Sequence, residues 1–213
     1  MNSSSPLVMH SKFCAFILLI LLPLPSFAVV IDKIAAIVND DVVTQNEVTQ
    51  VEKLNLGLSD LPSYGSVLQD RINHHLILQQ MRKQPPLDVP EDAVQSAITS
   101  IVNKQGGTDD LLLFLHGVGM NYADFEQEVR EEVYINRFLS DRFRPFVNVS
   151  IEEAEKYYND VYKPELEKRG EQVPPFPETF NEIQDRLAKD RMETRVREWL
   201  DEQRKSASIA LKP

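Results

Sequence analysis

The residues able to do chemistry are few, and their spacing suits little of it. Outside the apolar N-terminal stretch, histidine occurs at His74, His75 and His116. Neighbouring residues on a helix point about 100° apart, so His74 and His75 cannot form the i, i+4 pair that grips a metal ion. A surface or internally satisfied imidazole is the expectation, and no metal site is predicted. Adjacent carboxylates occur at Asp40-Asp41, Asp109-Asp110, Glu131-Glu132 and Glu152-Glu153. These pairs fall at turns, at helix starts or on a helix face that reads as solvated. Capping and solubility therefore account for them better than paired-carboxylate catalysis does. The one cysteine, Cys14, lies in the N-terminal apolar stretch, which leaves the rest without disulfides, thiol catalysis or Cys-ligated zinc. The glycines form neither a P-loop nor a dinucleotide fingerprint, so no nucleotide and no other cofactor is expected. What remains is binding.

Residues 1–28 read as a cleavable export leader. Lys12 precedes the apolar run 13–24, and Ser26-Phe27-Ala28 has the small-x-small pattern of a processing site. That run is shorter than the ~20 residues a membrane span needs. An exported chain of this size without disulfides must be held by its core, and the bacterial periplasm is the compartment that fits. Asn148-Val149-Ser150 matches a glycosylation sequon, a short pattern that recurs by chance. A net charge of −10 argues against phosphate neutralisation, hence against nucleic acid, and against an anionic membrane surface.

The elements that must position any binding surface are mostly helices. Val29 to Val38 is apolar and β-branched, Asn39-Asp40-Asp41 supplies a turn, and Val42-Val43 resumes a strand, so the stretch reads as a hairpin. Thr44 and Glu47 form a capping box for a first helix ending at Gly57. A second helix runs from about Ser66 to Lys83, with Val67, Leu68, Ile72, Leu76, Leu78 and Met81 as its apolar stripe. A third begins at Pro90 and is capped by Gly106-Gly107, and a short fourth covers 109–116. A long helix from Asn121 to about Phe143 follows, and Ser150 to Glu153 caps another. The prolines from Pro164 to Pro177 predict a linker over 163–177. The last helix, from Glu178 to about Ser206, would cross the whole body and carry acid-before-base pairs such as Glu182–Arg186 and Glu193–Arg197. A closing strand at Ala207–Leu211 would then pair with the first, because a lone apolar hairpin is not stable in water.

In order along the chain, Ile31–Asn39 and Val43–Val48, then Met120–Phe125 with Val129–Glu132, then Glu198–Arg204 with Ala207–Lys212, resemble the SurA family of periplasmic chaperones. The resemblance implies a mainly α fold. It would be a SurA N-terminal-like helical domain with a small antiparallel β element joining the N- and C-terminal strands. The single domain would span 29–213, divided into an N-terminal part (29–162), the Pro-rich linker (163–177) and a C-terminal helix and strand (178–213). Family members usually carry parvulin-type prolyl isomerase domains before the final helix. Only about 149–177 lies there in this chain, too short for a catalytic domain of roughly 100 residues, so no catalytic residue is carried over.

The function implied is an ATP-independent holdase for unfolded polypeptides, outer-membrane β-barrel precursors in particular. Candidate client contacts are the flexible or aromatic residues Met81, Phe114, Leu115, Met120, Tyr122 and Phe138, with Phe143, Phe146, Tyr157, Tyr158 and Phe176 further on. For any one of them, core packing is the competing role. An adaptor for one partner, or a homodimer, is the alternative from another class. A prolyl isomerase is a third reading.

Overall fold

The computed structural model describes residues 32–55 and 61–212. The predicted leader and Gly57 lie outside the described residues, as do Val29 to Ile31 of the opening strand. Strand β1 (Ile34–Val38) turns back into β2 (Asp41–Thr44). Asn39 takes the left-handed conformation at the turn (φ 54°), which its short polar side chain tolerates better than most residues. Thr44 then caps α1 (Gln45–Leu54) through the reciprocal pair foreseen from the sequence. The Glu47 amide donates to Thr44 Oγ1 at 3.2 Å, and the Thr44 amide donates to Glu47 Oε2 at 3.4 Å. Helix α1 ends at Asn55, another left-handed residue.

Next come α2 (Val67–Met81), α3 (Glu91–Gln105), α4 (Thr108–Val118) and α5 (Tyr122–Phe143). A 3-10 turn at Arg144–Phe146 leads to α6 (Ile151–Tyr157), capped by Ser150 and Glu153 as predicted. One π turn, Tyr158–Tyr162, joins α6 to α7 (Lys163–Arg169), and α8 (Phe176–Ser206) precedes β3 (Ile209–Leu211). The 163–177 linker is therefore largely helical. Pro164 sits in the first turn of α7, where its missing donor is tolerated, and only 170–175 is irregular, after Gly170 caps α7 at φ 70°.

The two ends of the domain meet. The sheet has the order β2-β1-β3, with β1 antiparallel to both neighbours and Ala36, Ile37 and Val38 opposite Leu211, Ala210 and Ile209. Asn39 fastens this closure: its amide donates to the Ser208 carbonyl at 2.8 Å, and its Oδ1 accepts the Ser208 amide at 2.9 Å.

Three apolar clusters carry the packing. The sheet's inner face (Ala36, Val38, Val43) packs with Val48 of α1 on Ile72 and Leu76 of α2. A second cluster joins α3, α4 and the first half of α5 around Phe125. The third gathers Ile77, Ile135, Phe138 and Leu139 against Val196, Trp199 and Leu200 of α8. The Trp199 ring lies 6.0 Å from Phe138 and 5.7 Å from Phe143. None of the predicted acid-before-base pairs along α8 is among the ion pairs of the described residues. Its charges reach other elements instead: Arg186 to Glu165 at 3.8 Å and Arg191 to Glu153 at 2.5 Å.

Candidate client groove and buried polar centre

Helix α2 contacts the sheet, α1, α5 and α8, so it is enclosed on most sides. An apolar stripe is not enough for such a helix. Arg71, Asn73 and His74 are buried along with Ile72, Leu76 and Ile77. A buried charge is tolerated only when paired, and the pairing here is extensive. Arg71 donates from Nε to Glu47 Oε1 at 2.8 Å and from Nη1 to Glu128 Oε1 at 2.5 Å. The His74 ring lies between two carboxylates, with Nδ1 3.1 Å from Glu132 Oε1 and Nε2 3.0 Å from Glu131 Oε2. His75 Nε2 is 3.1 Å from Glu47 Oε1, which makes Glu47 the junction of α1 and α2.

These contacts set the protonation preferences. Burial alone would raise the Glu47 carboxyl, but the His75 hydrogen bond and the Arg71 charge outweigh it and bring the pKa down to about 2. Burial likewise works against the charged forms of His74 and Arg71. The bonds from Glu131 and Glu132 raise His74 above its ordinary value, and the charges of Glu128 and Glu47 raise Arg71. Glu131 is lowered, because the His74 and Gln127 bonds overcome its desolvation. Glu131-Glu132 is thus not the solvated pair expected from the sequence. His74, Glu128 and Glu132 bring ligand-capable atoms within 4.8 Å of one another.

Next to this centre, and sharing Glu131 with it, lies a groove of 740 Å³ between the C-terminal end of α2, the Pro85–Leu87 segment and α5. Leu78, Met81 and Leu87 face Tyr134 and Phe138 across it, and Arg82, Arg130 and Glu131 add charge. Arg130 is itself fastened to Glu91 at the start of α3, by bonds of 2.6 and 2.9 Å. A second hollow of 510 Å³ separates the end of α5 from the middle of α8.

The eleven predicted contact residues do not form one surface. Met81 lines the groove and Phe138, a core residue, gives it its floor. Leu115 and Met120 are only 1% and 8% exposed and belong to the core around Phe125. Phe114 packs half-buried on that core, and Phe143 on Trp199. Tyr122 is exposed beside Phe125, and Phe146 is 65% exposed. Tyr158 and Phe176 meet at 5.6 Å, with Tyr162 and Phe180 alongside, and Tyr157 lies under Arg186. Sequence reasoning missed the groove residues Leu87 and Tyr134 and the exposed apolar residues Leu112, Leu113 and Val42.

A mainly α body closed by a small antiparallel sheet of its own terminal strands is the class of fold that the described residues define. Residues 31–139 match the model of the SurA N-terminal domain. The chain belongs to the SurA N-terminal domain family. Among its relatives, the protein called Chaperone SurA from Xanthomonas oryzae pv. oryzae (strain MAFF 311018) is 33% identical over 129 residues, 56% of this chain and 28% of that protein. The one from Methylococcus capsulatus is 27% identical over 137 residues (60% and 30%). The one from Salmonella choleraesuis is 28% identical over 135 (59% and 32%). The chain thus spans about a third or less of the length of these curated relatives.

Proposed function

We propose that this chain is a periplasmic, ATP-independent holdase that keeps unfolded outer-membrane β-barrel precursors from aggregating and has no isomerase activity of its own. The observation that carries the reading is the groove between α2 and α5. It is lined by Met81, Leu78, Leu87 and Tyr134, flexible or amphipathic side chains that adapt to varied apolar segments. Weak binding there shields a client's apolar residues, and release follows when folding offers the client a deeper well. The Chaperone SurA relatives and the leader-like residues 1–28 support the chaperone role and the periplasmic setting. The short span between α5 and α8 supports the absence of an isomerase.

The test is light scattering of a urea-diluted porin with increasing amounts of the chain and no nucleotide. Suppression that saturates near stoichiometric ratios is expected. No suppression at several-fold excess would overturn the proposal, and one tight partner in place of many precursors in a periplasmic pull-down would point to an adaptor.

A further inference from the structure

The groove leaves unexplained two buried polar atoms without partners among the described residues, Asn73 Nδ2 and Glu132 Oε2. Glu132 is only 8% exposed, and its Oε2 is buried without a hydrogen-bond partner. A buried carboxylate oxygen with no partner carries a large desolvation penalty, so such an atom invites a ligand. Its surroundings are not neutral. Glu47, Glu128, Glu131 and Glu132 gather around Arg71, His74 and His75, so carboxylates outnumber the permanent positive charge.

We infer that His74, Glu128 and Glu132 form a binding site for a first-row divalent cation of the zinc type, pinning α2 to α5. Glu128 and Glu132 are four residues apart on α5 and share the face turned to α2, where Glu132 meets His74 and Glu128 meets the adjacent Arg71. The donor atoms lie within 4.8 Å of one another, close enough to converge on an ion with bonds of about 2.0–2.2 Å after small side-chain shifts. The ring orientation suits this. Nδ1 faces Glu132 and would ligate once the ion displaces the proton it shares with that carboxylate, while Nε2–H donates to Glu131 at 3.0 Å. That is the carboxylate–histidine–metal arrangement, in which the outer carboxylate fixes the tautomer. Arg71 keeps Glu47 as a partner when Glu128 turns to the ion. One nitrogen and carboxylate oxygens suit zinc or its first-row neighbours. Magnesium and calcium demand six or more oxygens, more than this enclosed site offers.

The test is titration of the purified chain with Zn²⁺, Co²⁺ and Mg²⁺, read by calorimetry, by thermal melting and, for Co²⁺, by visible absorption. One saturable Zn²⁺ per chain is expected, with a raised Tm, imidazole–carboxylate Co²⁺ bands and no response to Mg²⁺. Glu132→Gln, nearly the same shape as glutamate, should weaken Zn²⁺ binding by ten-fold or more, and His74→Ala should abolish it. His116→Ala, at an exposed position on α4 outside the cluster, should leave it unchanged. Absence of saturable binding, or binding that survives Glu132→Gln with a native circular dichroism spectrum, overturns the inference. If His74→Ala fails to fold, Glu132→Gln and the Co²⁺ spectrum of the parent chain decide it.

Discussion

Arg71 is the side chain on which several elements depend, since its guanidinium joins Glu47 of α1 to Glu128 of α5 from a position 5% exposed. Replacing it with Met keeps the volume but takes the guanidinium from Glu128 and leaves Glu47 only His75 and the Thr44 amide, and breaking a buried ion pair from one side costs roughly 3–5 kcal/mol. Both carboxylates keep some access to water, so about 3 kcal/mol is expected, measured as a fall in the urea midpoint. Glu47 makes a pH prediction at the same scale. Its folded pKa, about 2, lies below its ordinary 4.5, so it binds protons more weakly when folded. Its stabilisation is complete above about pH 4.5 and lost as pH falls towards 2. Urea midpoints recorded between pH 6 and 2.5 should drop less steeply for Glu47→Gln than for the parent. An identical slope would count against the assignment. None of this centre was legible from spacing. Charged residues are read as solvated by default, and Arg71 and His74 interrupt the apolar stripe of α2 only because that helix is enclosed on several sides. The available signal was the absence of a polar face in α2, whose apolar residues Ile72, Leu76, Ile77 and Leu78 already cover more than one side.

At the scale of elements, what local chemistry controls was readable and what tertiary competition controls was not. The Thr44 and Ser150 capping boxes and the Gly106 helix end lie where the sequence places them, because each depends on residues within a turn or two. Thr44→Ala should cost about 1 kcal/mol through the lost bond to the Glu47 amide, a drop of a few degrees in Tm by calorimetry. The 163–177 segment misled because proline was read as a breaker, although Pro164 occupies a helix start. Likewise, the acid–base spacing along α8 suggested pairs within the helix, yet Arg197 and Arg204 lie over Tyr64, and Asp201 accepts its hydroxyl at 2.9 Å. Contacts between distant elements won. The groove too is a tertiary product, since Leu87 and Tyr134 carry no joint signal in the sequence. Met81→Gln at its edge should raise several-fold the chaperone-to-client ratio needed for half-suppression, while costing less than about 1.5 kcal/mol in stability.

For the whole molecule, the pairing of β1 with β3 was the part most visible in advance, because an apolar strand at one end and an alternating one at the other each lacked a partner. Removing 207–212 should expose the outer edge of β1. Such an edge is a template for pairing with other chains, so light scattering during gel filtration should show dimers and larger species absent from the parent chain. A variant that stays monomeric would mean that the helices alone protect that strand.

The same closure imposes a schedule on synthesis. Ala36 leaves the ribosome long before Leu211, its partner, and at roughly 5–20 residues per second the interval is about 10–35 s. Throughout that time the first strand can only hairpin with β2. The outer edge of β1 therefore stays open to neighbouring chains until the last residues emerge, and any factor that delays folding until then would guard against mispairing.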